Sequence, residues 1–272
     1  MGMRVPQEGY SIDRDTRSTI ATRYKTVTKA VNKSLWLSDS DTAHSFYVGS
    51  FGRGTAIDTS DIDILIEVPP SFYVTNTVSS YNPQSRLIQV VKEAILNSYP
   101  RSDVRGDGQV VVISFSDGML FEVLPAILQS DWYGNVTYKY PDSHMGGRWL
   151  STNPKAEQRA MKERNDLSNG LLIDTCQHMR YVRDNYYSSY KLSGIVIDSF
   201  VYAAIGSWRW LNSGESSSAS WGDYEDSLLS YYNRESLNGA LSFTLKAPGS
   251  RDSVSTSKSL ECLGKVLRKM AE

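Results

Sequence analysis

The sequence predicts an α+β protein in which a lobe of strands and helices is followed by a mostly helical lobe. Three observations lead there. Short apolar runs separated by turn residues occupy much of residues 46–124, the pattern of strands. From Pro154 onward the apolar residues instead recur at steps of three and four, the period of helices. The composition changes between the two regions, where residues 133–154 are rich in Tyr, Gly, Pro and Asp. A chain of 272 residues has room for one large or two smaller domains, so two lobes are predicted, over 1–150 and 151–272.

The elements follow in order. Ile20, Tyr24, Val27, Val31 and Leu35 fall on one face of a helix over 16–36. Phe46-Tyr47-Val48 is a short strand entering a glycine-rich turn. Residues 62–68 form a second strand, stopped by Pro69-Pro70. A helix over 85–96 carries Leu87, Ile88, Val91 and Ile95 on its apolar side. Residues 109–115 and 119–124 read as a hairpin, because Asp117-Gly118 supplies the left-handed turn geometry between two apolar runs. After Pro125 an irregular stretch is expected.

Pro154 suits the first position of a helix capped by Asn153. Residues 155–187 then make one helix or two, with Asn169-Gly170 as the break, and residues 192–210 another. Residues 213–220 are a Ser-rich loop, and 257–270 a last helix.

Bulk properties narrow the function. The net charge of −1 gives no global attraction to long nucleic acid. Cys176 and Cys262 lack metal-ligand or paired spacing, so two thiols in a reducing compartment are expected. No run approaches the ~20 apolar residues of a membrane span, and residues 1–10 have no apolar signal core. The expected location is cytoplasmic, without membrane association.

Asp61 and Asp63 flank Ile62 on the second predicted strand. Residues two apart share a face, so both carboxylates project one way while Ile62 and Ile64 enter the core. Two parallel carboxylates repel unless a cation joins them. Oxygen-only ligation suits Mg²⁺ or Mn²⁺, completed by phosphate oxygens, and two such ions suit phosphoryl chemistry. Gly49, Gly52 and Gly54 let the preceding backbone approach a ligand, with the Ser50 hydroxyl and Arg53 available to a triphosphate. No Gly-Lys-Ser/Thr follows, which excludes a Walker loop. Glu122, between Leu120 and Leu124 on one strand face, is the expected third carboxylate, since a charge there is costly unless paired or metal-bound.

This order of motifs resembles the polymerase-β-like nucleotidyltransferase superfamily. Further stretches are similar to the bacterial CD-NTase family, the cGAS/DncV-like enzymes of SMODS type: Gly108-Gln109-Val110, Phe121-Glu122-Val123-Leu124-Pro125, Tyr140-Pro141-Asp142, Gly146-Gly147-Arg148-Trp149, Ser193-Gly194-Ile195 and Lys246-Ala247-Pro248-Gly249. The resemblance runs from about residue 12 to the end of the chain. It implies a polymerase-β-like lobe with a mixed, twisted sheet, a C-terminal helical lobe and an active site in the cleft between them.

It also implies an enzyme that condenses nucleoside triphosphates, ATP and GTP among them, into a cyclic di- or trinucleotide. The product diffuses to a separate effector in antiphage (CBASS-type) signalling. Asp61, Asp63 and Glu122 would hold two Mg²⁺ ions, the third carboxylate would help deprotonate the acceptor hydroxyl, and Gly49-Ser50 would bind the donor triphosphate. Many members carry Asp at the third position, where this chain has Glu122. The basic helical-lobe residue of the family would be Arg180 or Arg183 here, with Ser193 as a further contact. Asp166 and Asp198 are expected to cap helices or lie on the surface. The competing reading is a transferase acting on another acceptor, an antibiotic hydroxyl or an RNA end.

Overall fold

The structure, a computed structural model, describes residues 3–72, 82–132, 134, 136–238 and 244–272. They group into two compact units. One comprises residues 13–52 and 61–153; the other comprises residues 1–12, 53–60 and 154–272. The division is discontinuous in sequence, because the short segment 53–60 and the N-terminal residues make their contacts with the later, helical part.

The first unit is built on a mixed sheet. Helix α1 (Arg14–Leu35) opens it, its N-terminus capped by the Asp13 carboxylate, which accepts the backbone N–H groups of Asp15 and Thr16. Ile20, Val27 and Val31 of the predicted apolar stripe are buried. Strand β1 (Ser45–Tyr47) leads into α2 (Gly49–Gly52), a single turn, and then comes β2 (Ile62–Glu67). Helix α3 (Pro83–Leu96) buries Leu87, Ile88, Val91 and Ile95, as its spacing predicts.

Strands β3 (Asp103–Asp107), β4 (Val110–Ser114) and β5 (Leu120–Ser130) follow, then β6 (Val136–Asp142) and β7 (Arg148–Thr152). The path through the sheet is β1-β2-β5-β4-β3, with β6 pairing β5 and β7 pairing β6. Among the described strands of this sheet the β2–β5 pairing alone is parallel; the other pairs are antiparallel. The Asp117-Gly118 hairpin forms as predicted, with Gly118 at φ 88° and Phe115 and Met119 bonded across the turn.

The irregular stretch expected after Pro125 is corrected: β5 continues to Ser130 and two more strands follow. Proline lacks the N–H a ladder needs, but Pro125 sits where β5 changes antiparallel partner. Its pairing with β4 covers residues 120–123 and that with β6 begins at Ile127, so no ladder bond is lost on that side.

The second unit is helical. Helices α4 (Pro154–Leu167) and α5 (Leu171–Tyr186) are separated at the predicted break, where Asn169 and Gly170 take φ of 51° and 94°. Helix α6 (Gly194–Ala204) ends six residues short of the prediction, and Gly206 at φ 55° takes the chain out of helical geometry. Helix α7 (Asp223–Asn238) was not predicted. A short ribbon of β8 (Leu245–Lys246) and β9 (Ser253–Val254) precedes α8 (Leu260–Ala271). Met161, Leu172, Met179, Ile197, Phe200 and Leu263 are among the buried residues of one continuous core. Cys176 and Cys262 are buried free thiols. Among the described residues no helix is long and apolar enough to cross a membrane.

Candidate functional site

The site begins where β1 ends. The Val48 N–H donates to Asp63 O at 2.9 Å, which lays the entrance of the glycine turn against β2. Gly52 N–H donates to Val48 O at 2.8 Å and closes the turn of α2. Gly49 takes φ 58°, and a Cβ built there would fall 2.5 Å from Asp63 Cγ and closer still to Oδ2. Glycine is therefore required twice over, by the backbone angle and by the carboxylate behind it. Ser50, the next residue, is half-buried in α2.

Asp63 lies beside Glu122 in the parallel β2–β5 register, so two carboxylates from adjacent strands stand side by side. Ile62 and Ile64 point into the core, at 2 % and 0 % exposure. Asp61 precedes the strand and is exposed. Glu122 feels all of this: burial, then the charges of Asp61 and Asp107, push its carboxyl above the usual carboxylate range. Gly49, Asp63 and Glu122 share a cavity of about 200 Å³ with Gln109, Tyr140 and Thr152.

The residues present fit a hard divalent cation. The donors are carboxylate oxygens, they crowd like charge together, and backbone without a side chain faces them. Among the described residues, no three His, Cys, Asp or Glu side chains close into a cluster on their own.

The basic residues expected at the triphosphate each have partners within the protein. Arg53 donates from Nε to Asp198 Oδ2 at 2.8 Å and from Nη1 to Glu157 Oε2 at 2.9 Å. Arg180 is 1 % exposed and forks onto Asp198 at 2.7 and 3.0 Å, with further bonds to the Cys176 and Gly194 carbonyls. Both guanidinium groups thus pair with buried carboxylates, which need a nearby cation to stay charged away from water.

Asp198, expected at a cap or on the surface, is in fact wholly buried. Burial alone would raise its carboxyl, but Arg180 and then Arg53 outweigh that and hold it down at about 2. The signal for it was present in the sequence: one acidic residue amid Ile195, Val196, Ile197 and Phe200 on an apolar helix.

Arg183 and Ser193 are placed differently. Arg183 pairs with Asp184, donates from Nη1 to Leu192 O at 3.0 Å, and borders a recess of about 380 Å³ with Thr59 and Tyr190. Ser193 is exposed at the N-cap of α6, and its side chain makes no capping bond. Asp166 is on the surface as expected, paired with Lys162 four residues earlier. Sequence reasoning missed Thr55, whose hydroxyl donates to Asp198 at 3.0 Å, and Gln109, Tyr140 and Thr152 on the cavity wall. Those are single polar residues with no spacing pattern to mark them.

The family model for the Second Messenger Oligonucleotide or Dinucleotide Synthetase domain, SMODS, matches residues 8–165. The chain belongs to this family. Membership makes it a nucleotidyltransferase of the CD-NTase kind, a synthetase of oligonucleotide or dinucleotide second messengers. No curated protein matches the chain in sequence.

Solved structures share its fold across nearly its whole length. The Elizabethkingia meningoseptica cyclic dinucleotide synthase CdnE, with GTP and Apcpp, has a TM-score of 0.63 at 12 % identity, covering 95 % of this chain and 97 % of that one. The Bradyrhizobium diazoefficiens CD-NTase CdnG, with GTP, has a TM-score of 0.67 at 12 % identity and covers 96 % and 87 %. The Rhodothermus marinus c-UMP-AMP synthase CdnE has a TM-score of 0.64 at 14 % identity and covers 96 % and 91 %. At these identities the likeness is one of fold, and the SMODS chain shares the α+β architecture they have.

Proposed function

We propose that this SMODS protein condenses nucleoside triphosphates into a cyclic di- or trinucleotide, releasing pyrophosphate at each transfer, through Asp61, Asp63 and Glu122. The observation that carries the reading is the Asp63–Glu122 pair standing in register on parallel strands, with the side-chain-free backbone of Gly49 against it.

In this scheme an acceptor hydroxyl oxygen bonds to the α-phosphorus of a donor nucleotide, the bond to the pyrophosphate oxygen breaks, and Glu122 helps take the hydroxyl proton. Gly49 and Ser50 bind the donor triphosphate, the first by close backbone approach and the second through its hydroxyl. Two Mg²⁺ or Mn²⁺ ions, held by Asp61, Asp63 and Glu122, would supply charge neutralisation of the triphosphate and activation of the hydroxyl. Arg183 and Ser193 are the helical-unit residues offered to the nucleotide. Arg53 and Arg180 act instead as structural cations.

The substrates are nucleoside triphosphates such as ATP and GTP, since solved relatives hold GTP, Apcpp or Upnpp. The product acts as a diffusible messenger on a separate effector in antiphage defence, in the cytoplasm. A different acceptor, such as an antibiotic hydroxyl or an RNA end, is the competing reading, and the second-messenger family of the chain weighs against it. Incubation with metal and labelled nucleoside triphosphates, followed by phosphatase, tests the proposal: a cyclic product is unchanged in mass, whereas a linear one loses its terminal phosphates.

A further inference from the structure

Residues 53–60 are the stretch of chain between the glycine turn and Asp61, and they are docked along α5. Gln177 Nε2 donates to Ala56 O at 3.2 Å. Thr59 Oγ1 donates to Asp184 Oδ2 at 2.7 Å. Between them Arg180 grips Asp198, which accepts Arg53 Nε at 2.8 Å and Thr55 Oγ1 at 3.0 Å. Gln177, Arg180 and Asp184 follow at steps of three and four, so one face of α5 backs the segment, with Asp198 of α6 between Arg180 and the chain. Arg53, the first residue after the turn, is held a second time by Glu157 of α4.

A buried ion pair of this kind is a poor way to add stability, because desolvating the charges consumes most of what their attraction returns. Apolar residues of similar volume would serve stability as well. What the charges and directed hydrogen bonds supply is a fixed position for the segment whose side chains make them.

We propose that Asp198 is a positioning residue for nucleotidyl transfer. It acts through Arg53 and Thr55 to fix segment 53–60, the stretch of chain that joins the glycine turn to Asp61. The inference rests on the function proposed above and adds a part to it that touches neither substrate nor metal. Misplacing reacting groups by about 1 Å costs on the order of a hundredfold in rate, which sets the size of the expected effect.

The test uses the full chain and two variants. Thr55→Val keeps the shape of the side chain and removes one hydrogen bond to Asp198; Asp198→Asn removes the charge. Three quantities are measured: the unfolding temperature, kcat and KM for nucleoside triphosphates, and Mn²⁺ binding without nucleotide by electron paramagnetic resonance. Thr55→Val is expected to unfold near the wild-type temperature, with kcat down about tenfold and KM within about twofold of wild type. Mn²⁺ binding should weaken severalfold, and Asp198→Asn should show a deeper loss of kcat and of Mn²⁺ binding together with a lower unfolding temperature. Variants that lose thermal stability yet keep the wild-type kcat and Mn²⁺ affinity per folded molecule would overturn the inference and leave the network a scaffold. If wild type makes product while the variants match it in every quantity, this inference alone fails. If wild type binds Mn²⁺ but makes no product, the functional reading fails and takes the inference with it.

Discussion

Gly49 stands so close to Asp63 that a Cβ at position 49 would sit 2.5 Å from Asp63 Cγ. The turn and the carboxylate are therefore one geometric unit. Gly49→Ala must either unwind the turn or push Asp63 aside, and it adds the strain of an L residue at φ 58°, roughly 1 kcal/mol. We expect kcat to fall about a hundredfold or more, with a drop of only a few degrees in unfolding temperature. Steady-state kinetics beside a thermal melt separates the two.

Glu122→Gln is predicted to abolish turnover without harming the fold. The amide has nearly the same shape, and it takes one charge out of a group that also holds Asp61 and Asp107. A thermal melt free of divalent metal should show the variant at least as stable as wild type. A large loss of stability would mean that Glu122 serves the sheet rather than the reaction.

Arg180 and Arg183 should part company. Truncating Arg180 to Ala leaves Asp198 with a buried, half-compensated charge, at a cost of about 3–5 kcal/mol. Arg183→Ala disturbs a partly buried pair and a carbonyl contact but leaves Asp184 in reach of water and of Thr59, so stability should change by about 1 kcal/mol, well below the Arg180 loss. If Arg183 meets the triphosphate, that variant raises KM for the nucleotide several times over. Denaturant melts and KM values together check the assignment.

Asp198 also sets a pH dependence. Its folded-state pKa is about 2, below the ordinary 3.8, because two arginines outweigh the penalty of burial. A depressed acid contributes stability that is complete above its unfolded value and is lost as pH falls through the folded one. The contribution should therefore be constant from neutrality to about pH 4 and fade between there and about pH 2. Denaturation midpoints measured over that span should fall less steeply in Thr55→Val combined with Asp198→Asn than in wild type.

How far the sequence could be read depended on the kind of signal each element carries. Helix α1, helix α3 and the Asp117-Gly118 hairpin are written in local periodicity and turn chemistry, and they form as predicted. Strands β6 and β7 are polar and aromatic, without clean alternation, and Pro141 lies inside one of them; their pairing is a tertiary fact that no local window contains. Helix α7 did carry a signal, since Tyr224, Leu228 and Tyr231 recur at steps of four and three, and its first and second members are buried.

At the site, the spacing of Asp61 and Asp63 and the charge of Glu122 between leucines pointed to the carboxylates. The same argument, a lone acid on an apolar face, applied to Asp198 and was not followed there. Arg53 and Arg180, offered to a triphosphate by the sequence, are held by buried carboxylates in the structure. A sequence shows that a guanidinium is present, but not which buried carboxylate has already taken it.

The central claim is tested most directly by product formation. Purified protein with Mg²⁺ or Mn²⁺ is given all four labelled nucleoside triphosphates, treated with phosphatase, and the surviving species is weighed by mass spectrometry. The account predicts a phosphatase-resistant cyclic di- or trinucleotide from the wild type and none from the variant carrying Asp61→Asn with Asp63→Asn. Nucleotide left unconsumed across all four bases, or equal product from the double variant, would contradict it.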